Sequence, residues 1–118
     1  MEIWKPVKGY DGKYLVSNKG RVANAYWGKH KRKTPKIMKG SPDKDGYLRL
    51  SMRKHGDFSY FPPRTEKVHR LVALAFVPNL TSFDVVNHKD GNKLNNNADN
   101  LEWVSVAYNT YHGCLLRK

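Results

Sequence analysis

Apolar positions recur along this chain at two different spacings. In "DGYLRLSMR", residues 45–53, they alternate: Leu48, Leu50 and Met52 fall on one face, Tyr47, Arg49, Ser51 and Arg53 on the other. That is the period of a half-buried strand. Shorter runs, "KYLVS" and "RVANA", lie among Asp-Gly and Asn-Lys-Gly turn signals and read as further strands. The spacing changes in "TEKVHRLVALAFVP", residues 65–78. Val68, Leu71, Val72 and Ala75 share one helical face, Leu74 and Phe76 widen it, and Pro78 stops it. This predicts a buried helix of about two turns at the heart of the core. Beyond it, "DVVNH" and "NLEWV" read as two short strands, close enough in sequence to pair antiparallel. Ser105 reads as the N-cap of a helix beginning "VAYNTYH".

The order of elements predicts an α+β fold. Residues 1–64 form a basic region rich in short antiparallel strands. Residues 65–118 form a helix followed by strand, Asn-rich loop, strand and helix, and the two zones are expected to make one compact unit. A chain of 118 residues with 39% hydrophobic content allows one domain with a modest core.

Charge adds a partner. There are 22 Lys and Arg against 10 Asp and Glu, a formal net charge of +12. Such an excess points to a polyanion, with nucleic acid ahead of an anionic membrane surface; the alternative is a solubilising surface charge. Arg49 and Arg53 on the alternating strand suit phosphates and base edges, or else an ordinary solvated face. The cluster "GKHKRKTPK", residues 28–36, with Lys31, Arg32 and Lys33, reads as a loop tracking a phosphate backbone. His69 and Arg70 open the apolar helix. The favoured reading is a satisfied histidine and a surface arginine, with a phosphate contact by Arg70 as the alternative. A single cysteine, Cys114, excludes an internal disulfide and a cysteine-based zinc site. No apolar run has the length of a membrane span and the N-terminus has no secretory pattern, so a cytoplasmic protein is expected.

Residues 85–109, "VVNHKDGNKLNNNADNLEWVSVAYN", hold seven Asn and one His. Asn92, Asn95, Asn96 and Asn97 fit a loop-building role, since Asn side chains satisfy nearby amides and tolerate left-handed backbone. Asn87, Asn100 and Asn109 sit differently: at the end of one strand, the start of the next, and one turn into the helix. A hairpin crossed by a helix brings His88, Asn87 and Asn109 together. A lone His with amide neighbours in a basic protein suggests phosphodiester hydrolysis. A neutral imidazole can deprotonate water, and amide oxygens suit a hard cation that stabilises the phosphorane.

The same segment resembles the His-Asn-His/Asn (HNH) nuclease motif of phage and intron-encoded homing endonucleases. "VHRLVALAFVPN" is similar to the helix that leads into it. "IWKPVKGYDGKYLVSNKGRV" is similar to the nuclease-associated modular DNA-binding motif that often precedes it. These matches cover roughly the first twenty-three residues and residues 68–112, with the middle basic stretch matching only loosely. The resemblance implies a ββα-metal finger, one divalent ion (Mg²⁺ or Mn²⁺) and double-stranded DNA. It makes His88 the general base, Asn100 the residue that holds the loop and orients His88, and Asn109 a metal ligand. The residue before the His is the other ligand. It is Asp in some relatives and Asn87 here, which leaves the expected metal site without a carboxylate. His112 shares the helix face of Asn109 and reads as a phosphate or metal contact, or as a plain surface histidine.

The function expected is therefore a metal-dependent DNA endonuclease that nicks as a monomer. A catalytically silent DNA-binding module of the same fold is the alternative. Some relatives carry a helical DNA-reading module after the nuclease, and with nine residues beyond Asn109 none is expected here.

Overall fold

The computed structural model describes residues 1–10, 12–27, 30–52, 64–80 and 82–116, with the backbone alone for Trp27 and residues 113–116. Arg53 lies outside the described residues.

The fold is α+β. Four short strands, β1 (Trp4–Pro6), β2 (Tyr14–Ser17), β3 (Val22–Trp27) and β4 (His30–Ile37), form one antiparallel sheet in sequence order. From His30 onward the basic cluster is thus a strand and not the expected loop, while Gly28 and Lys29 lie outside the described residues. Its cations are accommodated because β4 is an edge strand, where Pro35 needs no ladder partner for a missing N–H and lysines discourage further pairing.

A second antiparallel sheet holds β5 (Ser41–Pro42), β6 (Leu48–Met52) and β7 (Arg64–Lys67). The alternation in β6 is real: Leu50 and Met52 are buried, Arg49 and Ser51 exposed. Thr65 to Lys67, the first residues of the stretch expected to hold the helix, instead pair with Ser51, Leu50 and Arg49. The boundary expected after residue 64 therefore falls at the first residue of a strand shared with the upstream region.

Helix α1 (Val68–Phe76) follows without a loop. Val68, Leu71, Val72 and Ala73 are buried; Leu74, expected to widen the apolar face, is 66% exposed. The ribbon β8 (Val85–His88) and β9 (Leu101–Val104) pairs antiparallel, and α2 (Val106–Leu116) comes after it. Ser105 caps α2 through Oγ, which accepts the Tyr108 N–H at 3.1 Å. One apolar cluster joins Val16 and Val22 of the first sheet, Leu50 and Met52 of the second, α1, and Val86 and Leu101 of the ribbon. Helix α1 sits between them and packs on β2, β6, β7, β8 and β9, while α2 packs on β8.

Candidate active site

The loop between β8 and β9 is a knot of amides around one carboxylate. Asp90 Oδ1 accepts the Asn92 N–H at 2.8 Å and Asn100 Nδ2 at 2.9 Å, and Asp90 Oδ2 accepts Asn95 Nδ2 at 2.9 Å. In return Asn100 Oδ1 accepts the Asp90 N–H at 3.1 Å, and Asn100 Nδ2 also reaches the Asn95 carbonyl at 2.9 Å. Asn92 Oδ1 takes the Leu94 N–H and Asn95 Oδ1 takes Asn97 Nδ2. These donors hold the Asp90 carboxyl below its usual pKa, the Asn95 amide contributing most. The asparagines thus replace a core: side chains satisfy a backbone that no sheet or helix could. The Asp-Gly-Asn triplet, with Gly91 at φ 77°, is the turn signal, but nothing local marks Asp90 as the hub.

His88 ends β8 and is 4% exposed. Its Nε2 lies 2.8 Å from Asn96 Oδ1. Its ring centroid is 5.0 Å from that of His69 on α1 and 5.8 Å from that of Tyr47 just before β6, and Tyr47 and His69 are 5.0 Å apart. Lys67 and Lys93 hold ammonium groups 5.0 and 4.7 Å from the Tyr47 ring. The base candidate is therefore enclosed by three elements distant in sequence. Burial pushes the His88 imidazole below its ordinary pKa, against the opposing pull of Asn96 and Asp90, so it is neutral at pH 7. Two expectations change. Asn100, which the resemblance makes the residue that holds the loop and orients His88, bonds Asp90 and Asn95 within the loop, and the side chain that meets His88 is Asn96. His69 is not fully satisfied, because its buried Nδ1 has no hydrogen-bond partner among the described residues. Burial lowers the His69 pKa to about 3.

Asn87 is 6% exposed and faces Glu102 across the ribbon, its Nδ2 donating to Glu102 Oε2 at 2.7 Å. A carboxylate thus stands next to Asn87, although none is among the ligands that the resemblance implies. Glu102 stands beside Asn87 because the β8–β9 register pairs the two, which hairpin pairing alone could have suggested. With its nitrogen committed to Glu102, the Asn87 side chain has its Oδ1 left to offer a cation. Hard oxygens from Asn87, Glu102 and Asn109 fit a divalent cation such as Mg²⁺ or Mn²⁺ better than a thiophilic one. Among the described residues no group of three or more His, Cys, Asp and Glu is placed to hold a metal unaided. Asn109 is half-buried on α2 and makes no side-chain hydrogen bond among the described residues. His112 is stacked on Tyr108 with centroids 6.2 Å apart, its Nδ1 buried and without a partner among the described residues.

The expected cations divide. Arg49 is exposed on β6, in register with Ser41 and Lys67 on either side, beside a polar recess of about 290 Å³ that Ser51 and Thr65 also line. Lys31 and Lys33 are exposed on β4, whereas Arg32 is half-buried with Nε on the Tyr26 carbonyl at 3.2 Å. Arg70 turns inward: Nη1 donates to the Asp84 carbonyl at 2.5 Å and the guanidinium lies 5.5 Å from the Trp103 ring centre. It braces the entry to β8.

Two family models match the sequence: the NUMOD4 motif over residues 2–53 and the HNH endonuclease family over residues 66–111. The chain thus carries an HNH endonuclease motif with a NUMOD4 motif ahead of it. The upstream resemblance thus runs through the middle basic stretch, farther than the sequence alone suggested. DNA endonuclease I-HmuI of Bacillus phage SP01 is 42% identical over 106 residues, 90% of this chain and 54% of its own length. An uncharacterized HNH endonuclease of Acanthamoeba polyphaga mimivirus is 42% identical over 109 residues, 92% of this chain and 29% of its own. The chain therefore spans about half or less of those curated relatives. The solved structure of I-HmuI, described as DNA binding and cleavage by the HNH homing endonuclease, superimposes with a TM-score of 0.75 at 38% identity. That match covers 98% of this chain and 59% of the other. HNH endonucleases generally use a divalent metal ion, in keeping with the oxygen donors of the finger.

Proposed function

We propose that this chain is a metal-dependent DNA endonuclease that hydrolyses a phosphodiester bond with His88 as general base. The observation that carries the reading is a buried imidazole one residue from the Asn87–Glu102 pair, on the ribbon against which α2, the helix that bears Asn109, packs. In this reading His88 takes a proton from the attacking water. Asn87 and Asn109, with Glu102 beside them, would hold a divalent ion, which supplies positive charge at the scissile phosphate and the leaving oxygen when bound. The Asp90–Asn100 knot keeps the loop closed beside the base. Arg49 and Lys67, paired on the sheet whose central strand follows Tyr47, would let a phosphate backbone run past His88, with Lys31 and Lys33 as a second basic strip.

Three further points belong to the same reading. One finger offers one base, so one chain acting as a monomer cuts one strand. Arg53 and His112 remain candidates for DNA contact, Arg53 by the alternation of its sequence and His112 by sharing the helix face of Asn109. The site of action is the cytoplasm, that of the host if the chain is phage-encoded. Supercoiled plasmid incubated with Mg²⁺ or Mn²⁺ tests the proposal: open circles should form with the unmodified protein and not with His88→Ala. Binding without any cleavage would favour the silent DNA-binding module instead.

A further inference from the structure

We propose that Asn96 is a positioning residue for the reaction. Its side-chain carbonyl accepts the Nε2–H of His88 and leaves Nδ1 unprotonated to receive the proton of water, and the Ser17–Arg21 turn of the first sheet holds Asn96 in place. The inference rests on His88 being the base.

A neutral imidazole carries one proton, and the partner of one nitrogen decides which nitrogen keeps it. His88 Nε2 and Asn96 Oδ1 are 2.8 Å apart, and each residue is only 4% exposed, so water competes little for either group. A carbonyl oxygen at that distance requires the hydrogen on Nε2. The His69 and Tyr47 rings limit tilting of the imidazole, so the Asn96 bond fixes both its tautomer and its rotation.

Asn96 is itself fixed from the N-terminal region. Ser17 is fully buried; its Oγ accepts the N–H groups of Lys19 and Arg21 at 3.2 and 3.1 Å, and its N–H donates to the Arg21 carbonyl at 2.8 Å. This tight turn carries Gly20 at φ 88° directly against Asn96. A Cβ on Gly20 would lie 2.8 Å from the Asn96 carbonyl oxygen and 2.9 Å from its Cβ. Next to it, the Asn18 carbonyl accepts the Ala98 N–H at 2.8 Å. Asn18 is anchored in turn by the Ile3 N–H on its Oδ1 at 2.8 Å. The NUMOD4 motif thus supplies the backing of the residue that holds the base. Its glycine is required twice, for the left-handed backbone and for the close approach.

Nitrogen-15 NMR of the metal-free protein reads the tautomer directly, and single-turnover cleavage of plasmid reads the consequence. The unmodified protein should show His88 protonated at Nε2 with a bare Nδ1. Asn96→Ala should lose that signature and cut at least about tenfold more slowly with DNA affinity unchanged. Asn96→Asp, which keeps an acceptor, should retain the tautomer and much of the rate. Gly20→Ala should shift the His88 signals and slow cleavage without weakening binding. A His88 protonated at Nδ1 in the unmodified protein would overturn the proposal, as would Asn96→Ala with tautomer and rate both unchanged. Unmoved signals in Gly20→Ala would overturn the role of the turn. An unmodified protein that shows the expected tautomer but cuts no DNA would leave the geometry standing and refute the endonuclease reading instead.

Discussion

Asn87 donates its amide to the carboxylate of Glu102 across the β8–β9 ribbon, 2.7 Å from nitrogen to oxygen. The bond commits the Asn87 nitrogen and sets the Glu102 carboxylate beside a proposed ligand that is itself neutral. Glu102→Gln should therefore weaken binding of Mn²⁺ to the protein–DNA complex by about 10–100-fold, the usual effect of losing a group that orients a metal ligand. Calorimetry on catalytically dead His88→Ala with bound DNA measures it. Equal affinity in the two forms would leave Glu102 with a structural role only.

The same pair bears on binding without DNA. Two amides and one carboxylate hold Mg²⁺ weakly, because that ion is usually bound by one or two carboxylates together with substrate phosphates. Asn87→Asp would set two carboxylates against each other, a pair that gains from a cation between them. The substituted protein should bind Mg²⁺ more tightly than the unmodified one in the absence of DNA. Tight binding by the unmodified, DNA-free protein would show that another ligand takes part, His112 being the nearest candidate by sequence to Asn109.

Stability should fall on the acid side because of His69. Its pKa is about 3 in the folded chain and 6.5 as an ordinary histidine, so below pH 6.5 the unfolded chain binds a proton that the folded chain refuses. The unfolded state then carries more protons, and stability rises with pH and is lost as pH drops from about 6.5 towards 3. One such group contributes a slope of at most about 1.4 kcal/mol per pH unit. His88, shifted in the same direction, adds to it. His69→Phe keeps a ring between Tyr47 and His88 and removes one titration. Urea melts between pH 4 and 7 should show a shallower decline for this variant, and an identical decline would mean that His69 takes up its proton in the folded state.

The two arginines singled out from the sequence should behave differently. Arg49 is exposed beside Ser41 and Lys67, so Arg49→Ala should lower the log–log salt slope of DNA binding by about 0.9 for one lost phosphate contact. Arg70 is committed to the Asp84 carbonyl and the Trp103 ring, so Arg70→Ala should cost stability, about 1–2 kcal/mol, and leave the slope alone. Fluorescence anisotropy across a salt series, paired with denaturant melts, separates the two effects.

Where a period or a turn signal was strong, the sequence disclosed the element. The alternation around Leu50 made β6 visible, the 3.6-residue spacing of Val68, Leu71 and Val72 made α1 visible, and Ser105 marked the start of α2. The spacing of His88, Asn100 and Asn109 made the finger visible. Long-range pairing was hidden. Lys31 to Lys33 looked like a loop because an edge strand needs little apolar content. Asn96 looked like one loop-builder among several, because its distinction comes from Gly20, seventy-six positions earlier in the chain. Tyr47 and His69 meet His88 only through the packing of α1 between sheet and ribbon.

The central claim is that His88 acts on the reaction and not on binding, and cleavage of supercoiled plasmid by His88→Ala, with DNA affinity measured alongside, tests it most directly. Loss of the base should cut the rate by about 10²–10⁴ while affinity, carried by Lys and Arg on phosphates, stays within a few-fold. With the unmodified protein, open circles should precede linear DNA. Near-normal cleavage by the variant, or loss of binding in step with loss of cleavage, would contradict the account.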